Sequence, residues 1–101
     1  MTSQVLVTLV VPPALEDACL ELLLEHPSTP TFSSTPARGH GDDPAHLSVA
    51  EQVSGWRREV RIEVQVADTD RATLLDALRE RFPTSTVRWR VTPVLDAGHF
   101  G

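Results

Sequence analysis

The chain has 101 residues, of which 41% are hydrophobic and 23% are charged, so it has room for one folded domain with one core. Its formal net charge of −5 argues against the dense basic surface that general nucleic-acid or anionic-membrane binding requires. The longest apolar stretch, 5–11, is interrupted by Thr8, follows no basic segment and is too short to cross a bilayer. We therefore expect a single domain over residues 1–101, a cytoplasmic location, no nucleic-acid partner and no direct membrane insertion.

Five segments have the patterns of regular secondary structure. Apolar and β-branched residues predict strands at 4–11, 59–67 and 86–94, and helical periodicity predicts amphipathic helices at 13–25 and 69–82. In the first strand both alternating sets of side chains are apolar, which is typical of a strand that is covered on both faces. The single cysteine, Cys19, falls on the apolar side of the first helix and is interpreted as a core residue.

A short edge strand is also predicted, at 31–33, after the first helix. The resulting order, β-α-β-β-α-β, is that of a ferredoxin-like α+β sandwich, a four-stranded antiparallel sheet with two helices on one face. Two helices leave the second face of such a sheet uncovered. Since the first strand is apolar on both faces, we expect association to bury part of that second face, and we predict a homo-oligomer.

A long segment of different composition, 37–57, separates the second and third strands. It is rich in glycine, histidine and aspartate, and a loop of this length in a compact domain is usually functional or disordered. Within it, Ser48 and Glu51 have the spacing of a capping box, which predicts a short helical turn over 47–53. Gln52 has no comparable structural role and is a candidate for contact with a ligand.

The two ends of this loop carry arginines and a tryptophan, namely Arg38 at the start and Trp56, Arg57 and Arg58 at the end. In one interpretation the indole stacks on a base and the guanidinium groups bind an anion. In the other, the tryptophan packs against the loop base and the arginines pair with nearby glutamates of the third strand. Trp89, in the last strand, is expected in the core or in a subunit interface.

Two histidines of the loop, His40 and His46, flank a pair of aspartates. Imidazole and carboxylate groups suit divalent transition metals, although this spacing matches no standard zinc motif. A metal-binding protein centred on these histidines is therefore an alternative function. No arrangement of a nucleophile with a base is evident, so we predict that the chain is not an enzyme; a small enzyme of the dimeric α+β barrel type is the third possibility.

Three segments resemble a known family: Arg-Gly-His-Gly at 38–41, Glu-Gln-Val-Ser-Gly-Trp-Arg at 51–57 and Trp-Arg-Val-Thr-Pro-Val at 89–94. They are similar to an uncharacterised branch of the PII-like signalling proteins, whose members often accompany heavy-metal efflux systems. The resemblance implies a homotrimer, a T-loop at about 37–57 and a ligand, such as an adenine nucleotide, in the clefts between subunits. It also implies that the T-loop contacts a membrane transporter or another protein.

Taken with the residues themselves, the resemblance defines the candidate sites. The segment 83–86, Pro-Thr-Ser-Thr, departs from the family because it lacks the glycines and lysine that hold phosphates before the last strand. The tail, 95–101, contains His99 and is expected to be exposed. The candidate metal ligands are His40 and His46, and the candidate ligand-binding residues are Arg38, Gly39, Gly41, Gln52, Trp56, Arg57 and Arg58.

Overall fold

Four strands, three α-helices and two single-turn 3₁₀ helices are present in the computed structural model, which describes residues 3–29, 31–41, 48–84 and 86–101. The predicted β-α-β-β-α-β order is confirmed, with one further short helix in the connection between the second and third strands. Among the described residues, none of the helices is long and apolar enough to cross a membrane. In chain order the elements are β1 (Gln4–Val11), α1 (Glu16–Glu25), β2 (Phe32–Gly39), α2 (Val49–Ser54), β3 (Arg57–Ala67), α3 (Arg71–Arg81) and β4 (Arg88–Val94).

The sheet has the strand order β2-β3-β1-β4, and every neighbouring pair is antiparallel. At its centre Val7 of β1 lies opposite Val64 of β3 and Val91 of β4. Because side chains alternate along a strand, one set from β1 and β3 faces α1 and α3, and the other set faces away from the helices. We call these the helix face and the outer face of the sheet.

The core lies between the helix face and α1 and α3. Cys19 belongs to it, and burial raises the pKa of its thiol to about 11, so the thiol stays protonated at neutral pH. The predicted core position of Cys19 is confirmed. The buried hydrophobic residues are Val5, Val7, Leu9, Val11, Cys19, Leu23, Val60, Ile62, Val64, Val66, Leu74 and Leu78.

Strand β2 is longer than the sequence predicted, since it runs over Phe32–Gly39 rather than over 31–33. Its residues show no apolar alternation, because β2 is an edge strand and most of its side chains are exposed. Pro36 is tolerated there, as prolines are on edge strands. The pairing with β3, which starts at Arg57, holds β2 in place, so the connection between them begins at His40 instead of residue 37.

We predict that two adjacent leucines of α1 differ sharply in their contribution to stability. Leu23 is fully buried and Leu24 is 74% exposed. Leu23→Ala should lower the free energy of unfolding by about 2–5 kcal/mol, because it leaves a cavity in the core. Leu24→Ala should change it by less than about 0.5 kcal/mol. Urea denaturation of the two variants measures both values, and equal losses would contradict this placement of α1.

Candidate functional site

The start and the end of the β2–β3 connection lie side by side, because the last residue of β2 pairs with the first residue of β3. Arg38 lies opposite Arg58, and Gly39 lies opposite Arg57. Since consecutive residues of a strand point to opposite faces, the arginines that adjoin in the sequence are separated. Arg38 and Arg58 share the helix side with Trp56, whereas Arg57 lies on the outer face.

On the helix side the guanidinium of Arg38 lies over the Trp56 ring, with 4.6 Å between its Cζ atom and the ring centroid. This is a cation–π contact, and it fixes the orientation of both groups. Together with Arg58 they line a cleft of about 490 Å³ beside the start of α1. The other residues that line it are Pro13, Glu16, Pro36, Ala37, Glu59 and Val60.

The chemistry of this cleft is mixed. Two guanidinium groups, from Arg38 and Arg58, favour an anion, and the Trp56 indole offers a face for a planar ring. Glu16 contributes a carboxylate, which accepts hydrogen bonds from hydroxyl or amino groups. The cleft can therefore hold a small molecule that combines a planar ring, a negative charge and hydrogen-bond donors.

On the outer face a single carboxylate joins two strands that are not neighbours. Oε1 of Glu59 accepts a hydrogen bond from Nε of Arg57 at 2.9 Å and another from Nη2 of Arg88 at 3.0 Å. Only 10% of the Glu59 side chain and 25% of the Arg57 side chain are exposed, so this ion pair is partly shielded from bulk water, whereas Arg88 is 61% exposed. The interpretation in which the arginines pair with glutamate is thus correct for Arg57, whereas Arg58 lines the cleft.

Arg88 was missed by the sequence reasoning. It is the first residue of β4, after α3, and lies 29 positions from Glu59 in the chain. Its approach depends on the sheet order, which places β1 between β3 and β4 so that a long arginine reaches across β1. No local pattern around Arg88 indicates this partner.

Gly39 has no space for a side chain. A Cβ atom built on it would collide with Oε1 of Glu59, lie 2.6 Å from Cδ of Glu59 and lie 3.0 Å from Nε of Arg57. Glycine at this position therefore lets the Glu59 carboxylate lie flat against β2, where it meets both arginines. Gly41 differs, since it has open space around it and a φ of +78°, which favours glycine for conformational reasons.

Helix α2 is tied to the sheet at the end of the connection. The predicted capping box is confirmed: Ser48 N–H donates to Oε1 of Glu51 at 2.9 Å, and Glu51 N–H donates to Oγ of Ser48 at 3.2 Å. Oε2 of Glu51 also accepts from the backbone N–H of Arg58, at 3.2 Å. The Ser48 backbone bond, with support from Arg58, lowers the pKa of the Glu51 carboxyl. The Glu51 carboxylate thus connects the N-cap of α2 with the start of β3.

The remaining predicted residues are dispersed. Gln52 is exposed on α2, and His40 is exposed directly after β2. His46 and the two aspartates before it lie outside the described residues. Within the described ranges, no three histidine, cysteine, aspartate or glutamate side chains are grouped so as to hold a metal ion. A metal site at His40 and His46 stays a prediction.

The amino-acid sequence identifies the family to which the chain belongs. The chain belongs to the DUF3240 family, described as proteins of unknown function, and the match covers residues 1–101. No curated protein shows significant sequence similarity to the chain.

Solved structures confirm the predicted PII-like fold. A DUF3240 family protein from Shewanella baltica has a TM-score of 0.80 and 20% identity, with all of both chains covered. A putative PII-like signalling protein from Thermus thermophilus has a TM-score of 0.66 and 26% identity, with 92% of this chain and 87% of the other covered. CPII, a nitrogen regulatory PII-like protein from Thiomonas intermedia solved with ADP, AMP and bicarbonate, has a TM-score of 0.73 and 13% identity, with 97% of each chain covered.

The close contact at Gly39 can be tested by a double-mutant cycle. Gly39→Ala should lower the free energy of unfolding by about 1–3 kcal/mol, because the new methyl group displaces the Glu59 carboxylate from its arginines. In a Glu59→Ala background the same change should cost much less, since the colliding atoms are gone. Gly98→Ala, at a position with open space, is the matched control. Equal costs of Gly39→Ala in both backgrounds would contradict the contact.

The capping box of α2 should depend on pH. Because the pKa of Glu51 is lower in the folded chain, its contribution is complete above the unfolded pKa and is lost as pH falls through the folded value. We expect the helical NMR shifts of α2 to weaken only as the pH falls below the ordinary pKa of a glutamate carboxyl and through the lower pKa of Glu51 in the folded chain. Glu51→Gln, which keeps a capping side chain without the charge, should remove this pH dependence. An unchanged pH profile in that variant would assign the effect to another group.

Proposed function

We propose that this chain is a non-enzymatic PII-like regulatory protein whose ligand is a small anion with a planar ring, of the adenine nucleotide class. The observation that carries the proposal is the cleft in which the Arg38 guanidinium is already stacked on the Trp56 indole. The cleft lies at the base of the β2–β3 connection, which the resemblance identifies as the T-loop. Support also comes from CPII, which has a similar fold and was solved with ADP, AMP and bicarbonate.

The binding step follows from the groups in the cleft. The ligand ring packs against the indole or against the guanidinium plane of Arg38, and its anionic group pairs with Arg38 and Arg58. Because Arg38 is held over Trp56 before binding, little side-chain entropy is lost when the ion pair forms. Glu16, on the wall of the cleft, accepts from a hydroxyl or amino group of the ligand.

The same residues link the proposed ligand site to the β2–β3 connection. Glu51 holds the backbone N–H of Arg58, and Glu51 is also the cap of α2. A ligand that moves Arg58 therefore changes the hydrogen bonds that hold α2 to β3. This changes the surface that the connection presents to another protein, and it is the proposed output of the regulator.

The number of phosphates in the ligand is expected to be small. The segment before β4 has neither the glycines nor the lysine that cradle a polyphosphate. The carboxylate of Glu16 further opposes a highly charged ligand. Both features favour a nucleoside monophosphate or diphosphate over a triphosphate.

The assembly and the partner belong to the same proposal. We take the active form to be a homotrimer in which a neighbouring subunit completes the cleft, as the family resemblance implies. The partner, contacted through the connection between β2 and β3, is a membrane transporter or another protein, heavy-metal efflux systems being the class that the resemblance suggests. Gly39, Gly41, Gln52 and Arg57 are then residues that shape the connection around the ligand.

Titration of a variant with one tryptophan tests the ligand site. In a Trp89→Phe background, AMP or ADP should change the fluorescence of Trp56. Arg38→Ala in that background should weaken binding at least about tenfold, or about 1.4 kcal/mol, because it removes both a charge and the stack on the indole. Arg71→Ala removes the same charge at the start of α3 and should leave the affinity unchanged. ATP, cyclic nucleotides and bicarbonate are titrated in parallel.

Two outcomes would contradict this function. One is the absence of binding for every nucleotide and for bicarbonate. The other is an equal loss of affinity in Arg38→Ala and Arg71→Ala, which would indicate unspecific charge attraction. Binding of Zn, Ni or Cu that is abolished by His40→Ala combined with His46→Ala would instead support the metal-binding alternative.

A further inference from the structure

The outer face of the sheet has a charge of opposite sign to that of the whole chain. Arginines outnumber glutamates among its paired residues, whereas the chain has a formal net charge of −5. A positive surface on an acidic chain raises the local concentration of anions at that surface. The charged residues at outer-face positions of the paired strands are Arg57, Glu59, Arg61, Glu63, Arg88 and Arg90.

A cleft of about 320 Å³ lies on this face, between β1 and β4. Thr8 of β1 is opposite Arg90 of β4, and Val10 is opposite Arg88. Because cross-strand partners point to the same face, both guanidinium groups share this side of the sheet with the threonine and the valine. The residues that line the cleft are Thr8, Val10, Arg88, Trp89 and Arg90.

Thr8 contributes a hydroxyl group that has no partner in the described part of the chain. The residue is only 8% exposed, and within the described ranges its hydroxyl makes no hydrogen bond. Among the described residues, no fully enclosed side-chain oxygen or nitrogen lacks a hydrogen bond, so the Thr8 oxygen must open onto the cleft that the residue lines. A polar group so placed is stabilised by a ligand that bonds to it.

The two arginines of the cleft are held differently. Nη2 of Arg88 donates to Oε1 of Glu59 at 3.0 Å, and this bond draws the guanidinium across β1. The Arg88 side chain is still 61% exposed, so its other N–H groups can reach a second acceptor. Arg90 forms no ion pair or hydrogen bond within the described part of the chain. One guanidinium is therefore oriented in advance, and the other is available for a ligand.

We propose that this cleft binds a small oxyanion of the phosphate class. Such an anion has enough oxygens to accept from Arg88, from Arg90 and from the Thr8 hydroxyl at the same time. Two carboxylates border the site, Glu59 beside Arg88 and Glu63 opposite Thr8 on β3. Their negative charge opposes a polyphosphate, so the ligand carries a single phosphate group.

This site is separate from the Arg38–Trp56 cleft, which lies on the helix side of the sheet. The inference therefore goes beyond the proposed nucleotide function and does not rest on it. An Arg38→Ala background keeps the two apart experimentally, because it removes a charge on which the nucleotide cleft depends. Failure of the phosphate site would leave nucleotide binding in the unmodified chain unaffected.

NMR titration of the isotope-labelled Arg38→Ala protein with inorganic phosphate, at constant ionic strength, tests the site. Saturable shifts are expected at the backbone amides of Thr8, Arg88 and Arg90. Thr8→Val keeps the shape of the side chain and removes the hydroxyl, and it should weaken binding about fivefold. Arg90→Gln removes a charged donor and should weaken binding at least about tenfold.

The matched control is Arg79→Gln, which removes an exposed arginine of α3 that pairs with Asp76. It should leave the dissociation constant for phosphate unchanged. Shifts that do not saturate, or equal weakening in Arg79→Gln and Arg90→Gln, would indicate general charge attraction and would overturn the proposal. Loss of self-association in Arg90→Gln, with no phosphate binding in its parent, would also overturn it, since the arginine would then pair with a carboxylate of a second copy.

Thermal unfolding gives a second measurement. Phosphate at constant ionic strength should raise the Tm of the Arg38→Ala protein, because a ligand that binds only the folded chain stabilises it. The rise should disappear when Thr8→Val and Arg90→Gln are added, and an equal rise would contradict the site. Glycerol phosphate is titrated in parallel: tighter binding than that of inorganic phosphate identifies a phosphate ester as the ligand, and weaker binding identifies the free ion.

Discussion

The pairing of β3 with two strands is the constraint on which the rest of the molecule depends. β3 lies between β1 and β2 and is paired along its length, with β1 at one edge and β2 at the other. Its apolar set forms the floor of the core, and its pairing with β2 fixes where the β2–β3 connection starts and ends. Because Arg38 is opposite Arg58 in this register, the cleft exists only if β2 extends to Gly39.

The alternation of side chains along paired strands gives the two faces of this region different chemistry. The outer face has a shielded carboxylate, Glu59, that holds Arg57 and Arg88 and links β3 with β4. The helix side has Arg38 and Arg58 beside an indole, next to a cleft. Neighbours in the sequence therefore have different roles: Arg57 strengthens the sheet, and Arg58 is presented to the ligand of the proposed function.

In its described parts, the connection between β2 and β3 is held by different contacts at its start and at its end. At its start Gly39 lies under Glu59, and Gly41, with its positive φ, allows the chain to turn away. At its end α2 is capped by Ser48 and bound to Arg58 through Glu51. The proposed regulatory function needs a segment whose conformation responds to small changes in the sheet, and hydrogen bonds donated to the Glu51 carboxylate give such a response at little energetic cost.

The sequence by itself determined the order of the elements, the core and the capping box. These follow from local patterns: strict alternation in β3, helical spacing in α1 and α3, and a serine three residues before a glutamate. It also indicated the resemblance to PII-like proteins, which the fold comparisons confirm. The sequence did not predict the full length of β2. An edge strand of serine, threonine and proline has no hydrophobic pattern, and its pairing with β3 holds it in place.

Only the tertiary structure decided which side chains meet. The sequence brought Arg38 and the Trp56–Arg58 segment together as one cluster, and the register of β2 with β3 divides that cluster between two faces. It gave no indication of Arg88, whose partner lies across an intervening strand. It also did not decide whether Trp89 lies in the core or in a subunit interface, because packing sets the position of an edge strand relative to a helix. Contacts between residues far apart in the chain depend on strand order and register, which no local pattern encodes.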